Sequence, residues 1–141
     1  MENIFNYHIK NINIFLQKNN YQGYYVYGGI SEDMQNRYNQ HINRREPKEC
    51  NKNWRIEEIS HIKITNKYTI NEFINTISQL EQYLIDCLDR NYGDYCVNDR
   101  KMNGNISQKG GSGLNNHNLQ IGDKVSLYVF YGYKNNLITF H

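Results

Sequence analysis

The chain has 141 residues with 16 basic and 14 acidic side chains, a formal charge of +2, and that length suits one domain. The near balance excludes a histone-like polycation and an acidic tail while leaving room for a local basic patch. No apolar run approaches the roughly 18 residues that a membrane span needs, so no membrane partner is expected.

A first strand is predicted over Asn11 to Gln17, where Ile12, Ile14 and Leu16 alternate with Asn13 and Phe15. Lys18 to Gly23 reads as a hairpin loop leading to a second strand, Tyr24 to Gly28. Ser31 is placed to cap a helix, with Glu32 and Asp33 near its positive end. That helix runs to about Arg45 and stops before Pro47, with Met34, Tyr38 and Ile42 as its core stripe. Ile56 to Thr65 predicts a third strand, and Thr69 or Asn71 caps the longest helix, about Asn71 to Asp89. Its stripe is Phe73, Ile74, Ile77, Leu80, Leu84, Ile85 and Leu88. The stretch from Asn91 to Gly113 is irregular, with Gly110-Gly111-Ser112-Gly113 as its flexible part. Asp123 to Tyr133 is a last strand, with Val125, Leu127, Val129 and Tyr131 on one face. The order strand, strand, helix, strand, helix, strand makes a small α+β domain, and no internal repeat is visible.

The composition carries a second message. There is no alanine, one proline and 13 tyrosines, with Asn and Ile heavily used. That set follows AT-rich codons and reads as a low-GC genome, such as a parasite, a phage or a large DNA virus. Cys50, Cys87 and Cys96 are odd in number and never spaced CxxC, so they read as reduced thiols and not as a disulfide framework or zinc site. Met1 to Asn6 has neither a basic nor an apolar signal region, so an intracellular location is expected: cytoplasm, nucleus or viral factory.

Three local patterns bear on chemistry. Tyr27-Gly28-Gly29 leaves a strand just ahead of a capped helix, where two glycines allow a backbone or phosphate to come close. The plain alternative is a strand-to-helix turn with a core tyrosine. Arg37 and His41, four residues apart, project together from one helix. Arg offers a planar fork matched to phosphate oxygens, and His exchanges a proton near neutrality. A solvated helix face is the competing account. Glu81 falls on the stripe side of the long helix, where a carboxylate costs free energy unless it is paired, protonated or metal-bound. It could equally sit at the stripe's edge and reach water.

Taken together, Tyr27-Gly28-Gly29-Ile30-Ser31, then Asp33-Met34, Arg37 and His41, with Glu81 and Ile85 some forty residues later, resemble the GIY-YIG nuclease superfamily. The family's second half-motif is Tyr-x-Gly-x-Ser/Thr with Arg six residues on and His four after that, and this chain keeps the register without a gap. Leu80 to Ile85 is similar to the family's metal-binding Glu segment, and Asn98 sits where many members place an asparagine. The resemblance covers about residues 12 to 98, leaving 99 to 141 as a C-terminal extension of a single domain. It implies a three-stranded antiparallel or mixed sheet flanked by helices in the order β-β-α-β-α, with an extra C-terminal strand. Where the family has Gly-Ile-Tyr, about a dozen residues before Tyr27, this chain has Asn13-Ile14-Phe15. Tyr25, on the same strand face as Tyr27, is then the first candidate to supply the missing hydroxyl, with Tyr7 and Tyr21 behind it.

The activity implied is endonucleolytic hydrolysis of a nucleic-acid phosphodiester, DNA favoured over RNA, leaving a 5′ phosphate and a 3′ hydroxyl. The resemblance implies that Glu81 binds one Mg²⁺ or Mn²⁺ and that Arg37 holds phosphoryl oxygens. Tyr27, His41 and Tyr25 then position or deprotonate water. Arg44, Arg45, Lys48 and Asn98 are the expected nucleic-acid contacts, with Lys101 and Lys109 as further phosphate contacts, while His117 and His141 are expected to be solvated. Two other accounts stand beside it: a nucleic-acid-binding or structural descendant that has lost catalysis, and an interaction module with a tyrosine-rich surface.

Overall fold

A computed structural model of the protein describes residues 1–99 and 119–133. The glycine run at 110–113 and Lys101, Lys109, His117 and His141 lie outside the described residues.

The first element corrects an expectation. In place of a strand over Asn11 to Gln17, the chain forms one helix, α1, from Glu2–Lys18. Ile4, Phe5, His8, Ile9, Ile12, Phe15 and Leu16 recur at three- and four-residue spacing, and this face packs on the core. The five-residue alternation was a local accident inside that longer period, and Ile14, at its centre, is 39% exposed. Phe15 therefore occupies no strand. It packs against the core and stacks on Tyr21 with 6.5 Å between ring centroids.

The remaining elements follow the expected order closely. They are β1 (Tyr25–Ser31), α2 (Met34–Arg44), β2 (Arg55–Lys63), α3 (Ile70–Tyr92), a 3-10 turn (Gly93–Tyr95) and β3 (Lys124–Gly132). Thr69 caps α3 in a full capping box with Glu72, which satisfies two otherwise orphaned backbone donors. The capping residue of α2 is Asp33 and not Ser31: its carboxylate accepts from the Asn36 N–H at 3.1 Å, while Ser31 Oγ accepts from the Asp33 N–H at 2.9 Å. Helix α2 ends on Arg45 in a left-handed conformation, two residues ahead of Pro47.

The three strands form one antiparallel sheet in the order β1-β3-β2, so the last strand in the chain is the central one. The class is α+β, with the C-terminal strand inside the core and the running order α-β-α-β-α-β. Lys124–Gly132, within the expected C-terminal extension, thus forms the middle strand of the sheet. On one face, Val26, Ile30, Val125, Leu127 and Val129 pack with Phe73, Ile77, Leu80, Leu84 and Leu88 of α3, and α1 closes over β2. Gly28 lets α3 approach, since a methyl group there would meet Leu88 and Leu84 at 3.0–3.1 Å. On the other face, Cys50, Trp54, Tyr128 and Phe130 pack with Met34, Tyr38 and Ile42 of α2. All three cysteines are buried. Among the described residues no helix is long and apolar enough to cross a membrane.

Candidate functional site

The site forms where α2 crosses the second face of the sheet. Tyr27 on β1 and Tyr128 on β3 both point to that face. Tyr128 lies directly across the ladder from Gly29, where a methyl group would overlap its ring and hydroxyl. The second glycine of Tyr27-Gly28-Gly29 therefore makes room for a tyrosine from the next strand.

The Tyr128 hydroxyl is the hub. Arg37 Nε donates to it at 3.3 Å, and it lies 2.8 Å from His41 Nε2. His41 Nδ1 is bonded to the Glu46 carbonyl, which can only accept, so Nδ1 carries the proton and Nε2 is left as the acceptor for the Tyr128 O–H. Burial holds the His41 pKa down at about 4, with the Glu46 carbonyl opposing and Arg37 and Arg44 adding to the fall. The imidazole is neutral at physiological pH. Its ring also stacks on Phe130 at 4.5 Å and meets Tyr27 edge-on at 4.9 Å.

Arg37 donates to two partners, Tyr128 and the Gln40 side chain at 3.0 Å, and lies within electrostatic range of the Tyr27 hydroxyl. Burial works against its charge, but the two tyrosine oxygens outweigh it and keep the guanidinium protonated. Both phenols are pushed above their ordinary value because burial outweighs the nearby guanidinium.

Glu81 comes from α3, one turn before Leu84, and is 6% exposed. It lies within electrostatic range of Arg37, Tyr27 and Tyr128. Burial raises its pKa to about 8 despite the opposing pull of Arg37. Its Oε1 is buried and has no hydrogen-bond partner among the described residues. An orphaned buried carboxylate oxygen fits a cation in kind. Among the described residues no three His, Cys, Asp or Glu side chains gather as a metal cage. A metal here would take one protein carboxylate, with water and phosphate oxygens completing its shell, as suits Mg²⁺.

The other expected residues are placed differently. Tyr25 shares the face of Tyr27, but its ring stacks on Tyr95 at 4.8 Å and lies parallel to Trp54 at 6.5 Å. Asn98 is buried, and its amide is committed to the backbone of Gly28, accepting from N–H and donating to C=O, both at 2.9 Å. It clamps the edge of β1 and is not a surface contact. Arg44, Arg45 and Lys48 are exposed at and beyond the end of α2. Tyr7 is exposed on α1, and Tyr21 is buried with its hydroxyl on Glu57 at 2.7 Å.

Tyr128 is the residue that sequence reading passed over. The signal was there: Val125 to Phe130 is nearly unbroken in apolar and aromatic residues, as a strand buried on both faces should be. Comparison with protein-family models, curated proteins and solved structures returns no match for the chain.

Proposed function

We propose that the protein is a divalent-metal-dependent endonuclease of the GIY-YIG type that hydrolyses nucleic-acid phosphodiester bonds, DNA favoured over RNA. The observation that carries the reading is the cluster of Tyr27, Arg37, His41 and Tyr128, with a buried, unpaired Glu81 oxygen within electrostatic range of Arg37 and both tyrosines. A core has no need of such a group, because an unpaired buried carboxylate and a buried guanidinium both cost folding free energy.

Arg37 grips the phosphoryl oxygens as charge builds on them in the transition state. Glu81 would hold Mg²⁺ or Mn²⁺, and such an ion would neutralise phosphate charge and steady the departing 3′ oxygen. Neutral His41 keeps the Tyr128 proton directed at Nε2. Water placed against the tyrosine oxygens gives its proton to Tyr128 as Tyr128 passes its own to His41. The hydroxide bonds to phosphorus, and the bond from phosphorus to the 3′ oxygen breaks. That oxygen takes a proton from solvent, leaving a 5′ phosphate and a 3′ hydroxyl. Raised phenol pKa values make either tyrosine a poor base alone, so the histidine behind Tyr128 matters.

A second reading, nucleic-acid binding without catalysis, draws on the complete burial of the Tyr128 ring, whose hydroxyl already has two partners. Supercoiled plasmid incubated with Mg²⁺ or Mn²⁺ separates the two. Nicking by the parent that Glu81→Ala and Arg37→Ala each abolish supports the enzyme. DNA retention in a gel shift with no nicking in either metal overturns it in favour of the second reading.

A further inference from the structure

The segment after α3 forms a wall beside this site. Cys96 bridges to Val26, the Val97 N–H donates to the Val26 carbonyl at 2.9 Å, and Asn98 clamps Gly28. Cys96 is 1% exposed in the core, and its N–H closes the 3-10 turn on the Gly93 carbonyl at 2.9 Å. Tyr95, fixed just ahead of these anchors, is nonetheless 45% exposed. One face of its ring lies on Tyr25, whose other parallel neighbour is Trp54. Among the described residues Tyr25 is the only ring stacked on Tyr95.

An aromatic ring held rigidly, backed by a parallel ring and left open to solvent makes a stacking platform at little entropic cost. Its position makes a nucleobase the fitting occupant. Tyr25 and Tyr27 share a strand face two residues apart, about 7 Å. Tyr95 is one further ring away, so the platform lies roughly one to two nucleotides from a phosphate held by Arg37. The wall also brings Asp99 within electrostatic range of Tyr27, which ties it to the same cleft. Bases in an intact duplex are already stacked, whereas an unpaired base has a free π-face.

Resting on the nuclease reading above, we infer that Tyr95 stacks an unpaired base of the bound strand beside the cleavage site, so that the protein prefers single-stranded or flapped substrate to fully paired duplex.

The test is equilibrium binding, without divalent metal, of a labelled single strand, a flapped duplex and a blunt duplex by the parent, Tyr95→Ala and Tyr95→Trp. Stacking on an aromatic side chain contributes about 1–3 kcal/mol per base. Tyr95→Ala should therefore weaken single-strand and flap binding about tenfold, with blunt-duplex affinity within about twofold of the parent. Tyr95→Trp should restore the loss, and 2-aminopurine in the flap should be quenched by the parent but not by Tyr95→Ala. If Tyr95→Ala binds every substrate as the parent does, or loses all three equally with its melting temperature unchanged, base stacking is wrong. Plasmid nicking by that variant would then leave the nuclease reading standing. A parent that neither binds nor nicks any nucleic acid overturns both.

Discussion

At the scale of single residues, burial moves the pKa values of Glu81 and His41 in opposite directions and each group toward its uncharged form. Burial keeps the histidine neutral and raises the carboxyl pKa to about 8. For Glu81 the consequence for stability has a definite sign. Its folded pKa lies above the ordinary carboxylate value of 4.5, so the folded state loses stability as pH climbs from about 4.5 through about 8. Glu81→Gln should thus leave stability nearly unchanged at pH 4 and raise it by on the order of 5 kcal/mol at pH 8.5. Denaturant melts at the two pH values check this. Millimolar Mg²⁺ at pH 8 should raise the melting temperature of the parent and not that of Glu81→Gln. Equal gains at both pH values would mean that Glu81 is not charged at a cost.

At the scale of elements, most boundaries were legible because each followed a local rule. The α3 stripe holds a 3.6-residue period from Phe73 to Leu88, Thr69 and Glu72 write a capping box, and Met34, Tyr38 and Ile42 mark the packed side of α2. Helix α1 is not legible locally, because Ile12, Ile14 and Leu16 satisfy a strand pattern over five residues while the helical stripe runs from Ile4 to Leu16. Tyr27, Arg37 and His41 were legible from spacing within one strand and one helix. Tyr128 was not, since its place beside them depends on β3 inserting between β1 and β2, a long-range pairing with no local spacing to announce it. Asn98 stands out in the sequence, but its role as a clamp depends on which strand edge it meets. The seam between Gly29 and Tyr128 is the element-level junction that builds the site, and Gly29→Ala tests it. A methyl group must displace the Tyr128 ring, so stability should fall by about 1–3 kcal/mol and nicking should fall with it. Thr69→Ala is the comparison: it removes a cap at a cost of about 1 kcal/mol while nicking at 25 °C stays at the parent rate.

At the scale of the whole molecule, one sheet serves two purposes on its two faces. The face toward α1 and α3 is filled with aliphatic side chains and supplies most of the core. The face toward α2 carries the aromatic cluster into which Arg37 and His41 are inserted. The chain brings the pieces together from 27 to 128, so the site forms only when the last strand has docked in the middle of the sheet. On the proposed nuclease reading, this makes the hydroxyl on β3 the point at which fold and chemistry meet, in place of the tyrosine expected near Phe15 or at Tyr25. The most direct measurement is single-turnover cleavage of an end-labelled DNA in Mn²⁺ by the parent, Tyr128→Phe and Tyr25→Phe, with melting temperature and DNA affinity recorded for each. Tyr128→Phe should cleave about a hundredfold more slowly at unchanged affinity, while Tyr25→Phe stays within about twofold of the parent. Cleavage by Tyr128→Phe at the parent rate would contradict the account.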